Sequence, residues 1–267
     1  MSAEPPPPSV SVHRSAGVAT IRMERPAAMN ALDVATKEEL LAAVREVAAD
    51  PQVRCVVLTG SGAAFSVGQD LKEHVTLLHE HPERVWRTVR EHYNPIVRAI
   101  AEMDKPVIAA LNGVAAGAGA SLAFAADLRY LADTAGFTLA FAGIGLSCDS
   151  GASWFLPRLV GMAKAKEVMM LGGRIGAAEA LRLGLATAVV PASDLDEHVG
   201  TVAHALAAGP TLALGAIRRA VAFSASADLA DSLEHEADLM DRTGSSQDHA
   251  GAVASFLAKT TPEFTGR

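Results

Sequence analysis

Aromatic residues make up only 4% of this 267-residue chain, and it has two cysteines. With so few aromatics, the core must be built from small aliphatic side chains, alanine above all. Cys55 and Cys148 give neither a zinc-ligand spacing nor a disulfide framework, so a reducing, cytoplasmic setting is expected. An excess of positive charge is also missing. Lys and Arg number 23 against 30 Asp and Glu, a formal net charge of −7, which argues against a nucleic-acid surface. No G-x-x-x-x-G-K-[ST] loop occurs, and the G-x-G-x-x-G pattern fails at Gly117-Ala118-Gly119 because Leu122 holds the third glycine's place. Met1–Val10 carries Pro5–Pro8 but no basic, apolar signal region, and residues 1–9 read as a flexible leader.

What is present is ample apolar sequence, half of the chain, with a fifth charged. That length forms one large domain or two small ones and buries a core without staples. Val107–Ala126 is the longest apolar run, with only Asn112 and Ser121 polar. Pro106 at its start and Asn112-Gly113 in its middle divide it into a strand, a turn and an Ala/Gly-rich helix, not a membrane span. Apolar on every side, that helix belongs at the centre of the protein.

The pattern predicts strands at Val10–Val12, Val18–Met23, Val53–Thr59, Val107–Leu111, Leu128–Leu131 and Phe137–Leu139. A helix capped by Asp33 or Thr36 runs to about Ala49, and a long helix is expected from Glu83 to Met103. Beyond Ser150 the chain reads as helical, with one clear strand at Ala188–Val190. The expected class is therefore α/β, with a core over residues 10–205 and a helical C-terminal region over 206–267.

Three chemistries compete. Gly119-Ala-Ser121-Leu-Ala123 nearly spells a hydrolase nucleophile elbow, but its last glycine is missing and nothing assigns a base to it. His79-Glu80-His81, beside His74, is the only close histidine pair; it reads as solvated loop, and no metal site is expected. Asp149 stands apart, between apolar Phe137–Leu146 and Trp154-Phe155-Leu156. It either caps the following helix or is a carboxylate in an apolar pocket, whose burial makes it a stronger base. Asp70 follows a strand and turn, where it can cap a helix start. A helix beginning at Gly117 leaves unpaired backbone N–H groups at the positive end of a helix dipole, suited to a developing negative charge.

Several segments together resemble the crotonase, or enoyl-CoA hydratase/isomerase, superfamily. Arg25–Leu32 (RPAAMNAL), Val53–Leu71 (VRCVVLTGSGAAFSVGQDL), Lys105–Gly119 (KPVIAALNGVAAGAG), Pro157–Gly161 and Ala177–Ala186 carry the likeness, across nearly all of the chain. The resemblance implies a spiral of ββα units with a helical C-terminal region that builds trimers or hexamers. It implies acyl thioesters of coenzyme A as substrates, with no separate cofactor. It also implies an oxyanion hole formed by the backbone N–H groups of Gln69 and Ala118. By position it puts Met29, Ser66, Val67, Gly68, Asp70 and Gly117 near the substrate, with Phe256 and Lys259, and Phe264 beyond them, reaching the coenzyme from a neighbouring subunit. Phe141 and Trp154 are expected to line a dry acyl pocket.

The departures from the pattern narrow the chemistry. The positions of the two hydratase glutamates hold Ser121 and Phe141, neither of which can act as acid or base. Asp149 falls where dienoyl-CoA isomerases, phenylacetate-pathway isomerases and an aryl-CoA dehalogenase carry a catalytic Asp, and Ile144–Pro157 (IGLSCDSGASWFLP) looks most like the phenylacetate-pathway isomerases. The expected activity is enoyl-CoA isomerisation with Asp149 shuttling a proton. The alternatives are weak hydratase activity, an Asp-nucleophile dehalogenase or hydrolase, and a non-catalytic acyl-CoA-binding subunit.

Overall fold

The computed structural model describes residues 7–139 and 141–267. Most of the predicted Pro-rich leader therefore lies outside the described residues. Strands β1 (Val10–Ser15) and β2 (Val18–Met23) form a hairpin, followed by α1 (Val34–Ala49), whose N-terminus Asp33 caps by accepting from Thr36 N. Then β3 (Cys55–Gly60), β4 (Ala64–Ser66) and α2 (Leu71–Glu80) form one unit. After α3 (Asn94–Glu102), the next unit is β5 (Val107–Leu111), β6 (Val114–Ala116) and α4 (Ala118–Ala125). A third unit is β7 (Leu128–Ala132), β8 (Gly136–Thr138) and α5 (Ala152–Val160). The rest is α6 (Met162–Leu171), β9 (Arg174–Gly176), α7 (Ala177–Arg182), β10 (Ala188–Val190), α8 (Leu195–Ala208), α9 (Thr211–Ser224), α10 (Leu229–Gly244) and α11 (Gln247–Ala258).

In each ββα unit the first strand joins one sheet and the second joins another. The larger sheet has the order β1-β2-β3-β5-β7-β10 and the smaller one β4-β6-β8-β9. Central β3 and β5 are buried at every position, as expected of parallel strands covered on both faces. The Asn112-Gly113 turn switches the chain from β5 to β6. A Cβ on Gly113 would lie 2.0 Å from the Ala63 carbonyl oxygen, so only glycine fits there. The Ala/Gly-rich α4 is buried along its whole length, the centre of the molecule that its composition predicts. Among the described residues no single helix is long and apolar enough to cross a membrane.

The sequence reading needs four corrections. The polar stretch after Asp70 is helical: Asp70 Oδ1 accepts from Lys72 N (3.0 Å) and Glu73 N (3.3 Å) and starts α2. The predicted helix from Glu83 to Met103 starts later and is irregular. Residues 82–86 are turns, 87–102 are helical, and a π segment at Val89–Tyr93 leads into α3, where Pro95 has no N–H to continue an ordinary helical ladder. Three-residue strands β4, β6 and β9 were too short to show periodicity. Finally, a boundary at 205/206 would cut α8, which ends at Ala208 before Gly209-Pro210.

Asn30, fully buried, ties the β3–β4 turn to the segment after β2. Its Oδ1 accepts from Arg25 N (2.9 Å), and its Nδ2 donates to Ser61 O (2.9 Å) and Ala64 O (2.7 Å). Asn30→Ala takes these partners from Arg25 N and Ser61 O and leaves Ala64 O only Asn112 Nδ2. It should cost about 2–4 kcal/mol, measured by urea unfolding; a loss below about 0.5 kcal/mol would contradict this account of the turn.

Candidate active site

A cavity of about 570 Å³ opens where the N-terminus of α4 meets the segment joining β4 to α2. Its walls are largely apolar, with Ala27, Met29, Val67, Phe141 and Ile144 among them, and its polar groups include Arg25, Gln69, Asp70, Lys72 and Asp149. Such a largely apolar cleft with a few fixed polar groups suits a ligand whose reacting end is polar and whose tail is not.

Two backbone amides are aimed at this space. Leu32 bridges Gln69 in parallel: Leu32 N donates to Gly68 O (2.7 Å) and Asp70 N to Leu32 O (3.1 Å). In that pattern the intervening Gln69 N–H points away from Leu32. Ala118 is the first residue of α4, so its N–H has no intrahelical acceptor. Among the described residues neither amide has a hydrogen-bond partner. The two segments lie side by side because glycines leave room between them. A Cβ on Gly68 would stand 2.8 Å from Ala116 O and 3.0 Å from Ala118 N, and one on Gly119 would stand 2.3 Å from Ser66 O. The α4 dipole adds positive potential at the same point. The pair can hold an oxygen on which negative charge develops.

Asp149 lines the same cavity. It is no helix cap: α5 is preceded by Gly151 in the left-handed region (φ 80°) and receives no side-chain cap. Ser150 Oγ donates to Asp149 Oδ1 (2.9 Å). Burial pushes the Asp149 carboxyl above the ordinary carboxylate range, while the Ser150 hydrogen bond and the charge of Lys37 pull it part of the way back. Asp70 behaves differently. Burial works against its charge, but the Glu73 N–H, the Arg25 guanidinium (3.0 Å) and the Lys72 N–H win, and its carboxyl is held below the usual range. Arg25 also pairs with Asp33 at 3.0 Å, so Asp70 is a fixed cap that walls the cavity.

Met29, Val67, Gln69, Asp70, Gly117, Ala118, Phe141 and Asp149 thus meet in one place. The other expected residues do not line it. Ser66 is buried, its Oγ donating to Asn30 O (2.7 Å) and accepting from Gly68 N (3.1 Å); it shapes the turn. Gly68 contributes clearance. Ser121 is buried, its Oγ donating to Gly117 O (3.2 Å) and the Asp149 carbonyl (3.4 Å). Trp154 is 43% exposed on the opposite side of α5, its ring under the Arg158 guanidinium at 3.4 Å, and lines a separate apolar recess with Phe124 and Ile217. Phe256 is 80% exposed at the end of α11 and Lys259 follows it in the left-handed region; neither borders the cavity within one chain. Phe264 borders another recess with Met240 and His249. Arg25, Lys72 and Lys37 carry charge at or behind the cavity wall and went unassigned in the sequence. Lys37 stands beside Glu38 and Glu39 in the sequence, and nothing local marks it as buried.

The family model described as enoyl-CoA hydratase/isomerase matches residues 13–267. A protein of Rhodobacter capsulatus named as an enoyl-CoA hydratase is 43% identical over 253 residues, 95% of this chain and 96% of that one. The 1,2-epoxyphenylacetyl-CoA isomerase of Escherichia coli K12 is 38% identical over 256 residues, 96% of this chain and 97% of that one. A crystal structure of an enoyl-CoA hydratase/isomerase family protein from Mycobacterium abscessus superposes with a TM-score of 0.93 at 44% identity, covering 97% of this chain and 100% of that one. The chain belongs to the enoyl-CoA hydratase/isomerase family, the crotonase superfamily, and is an enzyme that acts on acyl-CoA thioesters.

Asp149 also makes a prediction about stability. Its proton is bound more tightly in the folded state than in the unfolded chain. Stability is therefore intact below the unfolded-state pKa and falls as pH rises through the higher folded-state value. Asp149→Asn should raise Tm at pH 7 by about 1–3 °C, a gain that fades toward about pH 4. Calorimetry at the two pH values checks it, and a lower Tm for the variant at pH 7 would contradict the reading.

Proposed function

We propose that the protein isomerises an enoyl-CoA thioester, with Asp149 as the single proton shuttle. One observation carries the reading: an uncapped, partly buried carboxylate of raised proton affinity shares the cavity with two unpaired amides. The thioester carbonyl makes a neighbouring C–H acidic. Asp149 takes that proton, and the electron pair moves to the carbonyl oxygen as an enolate. The N–H groups of Gln69 and Ala118 stabilise this oxygen as its charge appears, a contribution of the order of 10²–10³ in rate per donor. Asp149 then returns the proton to another carbon of the conjugated system, and the double bond has moved. No net gain or loss of electrons or protons occurs.

The positions of the hydratase glutamates support isomerisation over hydration. Ser121 is buried with its hydroxyl turned to backbone carbonyls, and Phe141 offers no acid or base. Phe141 and Ile144 on the wall favour a bulky apolar acyl group. A ring-bearing thioester of the phenylacetate type, the kind named for the Escherichia coli relative, is the first choice in a substrate panel. Met29 and Val67 flank the approach of the coenzyme.

Deuterium exchange from D₂O into a panel of 2-enoyl, 3-enoyl, dienoyl and cyclic CoA esters tests the mechanism. The wild type should exchange at least one of them. Asp149→Asn should lose about 10²–10⁴-fold in exchange while keeping its affinity within a few-fold. Unchanged exchange in the variant refutes the role. A covalent aspartyl adduct trapped in the wild type would instead indicate nucleophilic chemistry.

The working assembly is a homotrimer or a pair of trimers. Ile217, Val221, Leu229, Leu233 and Met240 are exposed apolar side chains on α9 and α10, more than an isolated chain leaves in water without reason. In that assembly Phe256 and Lys259 approach a neighbour's coenzyme. Light scattering should give three or six times the 27.6 kDa chain mass; a monomer at micromolar concentration would contradict it.

A further inference from the structure

Behind the cavity wall lies a charged group that the mechanism does not use. Lys37 is on α1, 0% exposed. Its Nζ donates to Thr88 Oγ1 (2.8 Å), Gln69 Oε1 (3.2 Å) and Glu73 Oε1 (3.5 Å), so three acceptors meet its three N–H groups, and it lies 5.4 Å from the centre of the Tyr93 ring. Three acceptors are what an ammonium requires. Gln69 is the partition. One side borders the 570 Å³ cavity with Asp149; the other borders a recess of about 240 Å³ shared with Lys37, Thr88 and His92. The Gln69 side chain is pinned on both atoms. Its Oε1 accepts from Tyr93 Oη (2.7 Å) and Lys37, and its Nε2 donates to Glu73 Oε1 (3.3 Å) and Asp70 O (3.4 Å).

We propose that Lys37 is a positioning residue: its buried ammonium locks Gln69, whose amide faces the cavity, and serves as the counter-charge to Asp149 across that partition. The inference rests on reading Asp149 as the base. Glu73 of α2 is the ion-pair partner of Lys37, and Asp33 and Asp70 add attraction; burial weakens its hold on the proton. His92, on the π turn, is pushed below the ordinary imidazole range by burial and then by the Lys37 charge, so it is neutral at pH 7. Arg84 and Arg87 also border the recess, with His74 of α2. Tyr93, whose proton affinity is raised by burial and by the Asp149, Glu73 and Asp70 charges, remains a neutral donor. Glu38 and Glu91 border the recess from α1 and the π turn. Removing the Lys37 charge takes an attraction from ionised Asp149, so its pKa must rise.

The test reads Asp149 directly. Infrared difference spectra of wild type against Asp149→Asn isolate the carboxylic acid C=O band of Asp149, and a pH titration gives its midpoint. Lys37→Gln, compared with Lys37→Gln/Asp149→Asn, should move that midpoint up by about one pH unit. The acid limb of the exchange rate should move with it, kcat should fall about tenfold or more, and KM should change little. Lys37→Arg keeps the charge and should restore the midpoint. If Lys37→Gln does not fold, Lys37→Met/Glu73→Gln removes both buried charges together, and its midpoint should lie above that of Glu73→Gln alone, a comparison in which the loss of the Glu73 charge cancels. A midpoint equal to that of its Lys37-bearing reference, wild type or Glu73→Gln, in a folded variant lacking the Lys37 charge overturns the proposal, because a merely structural lysine would lower Tm alone. Full exchange activity in Asp149→Asn would instead mark failure of the base assignment.

Discussion

The site depends on how closely two backbone segments approach. The turn after β4 and the start of α4 touch main chain to main chain because Gly68 and Gly119 place no side chain between them. The cost of one Cβ there is a contact near 2.3–2.8 Å with a carbonyl oxygen, which no packing adjustment of a side chain can relieve. From that approach come two unpaired amides, a helix dipole behind one of them, and a cavity floor that is backbone rather than side chain. An alanine can serve at position 118 for the same reason: the donor is the amide, and the methyl is accommodated at 4% exposure.

The sheets make that approach reproducible. Each ββα unit sends one strand to the large sheet and the next to the small one, so β4 and β6 are paired neighbours and the segments that follow them emerge together. Asn30 and Asn112 both bind Ala64 O and hold the β3–β4 turn from two directions. Asp149 arrives on the following unit, after β8, and is presented by a turn in which Ser150 and Gly151 both have positive φ. A strained Ser150 and the buried carboxylate of Asp149 beside it are both unfavourable for folding, which supports the proposal that this turn is kept for chemistry.

How much was legible in the sequence depended on whether the signal was local. Pro106 and Asn112-Gly113 divided a twenty-residue apolar run correctly, because turn chemistry is written in adjacent residues. Asp33 and the C-terminal helices were readable for the same reason. Helix α2 was legible only at its start, where Asp70 was read as a cap; the body, Leu71–Glu80, is mostly polar and was read as solvated loop around its histidines. Trp154 failed because an apolar helix offers two faces, and only packing decides which meets the cavity. Lys37 failed most completely. Beside Glu38 and Glu39 it looks solvated, and the residues that bury and bind it lie 32 to 51 positions away. The cavity residues Met29, Val67, Gln69 and Ala118 came from motif resemblance, while the unpaired helix start and Asp149 between two apolar stretches were announced by the residues themselves.

The central claim is that a thioester oxygen sits between two particular amides with Asp149 facing the acidified carbon. A crystal structure with a bound, unreactive saturated acyl-CoA measures this directly. The account predicts the thioester oxygen about 3 Å from both Gln69 N and Ala118 N, with the Asp149 carboxylate within about 3.5 Å of a carbon next to the carbonyl or farther along the chain. A thioester bound away from the two amides, or an Asp149 carboxylate turned out to solvent in the complex, would contradict it.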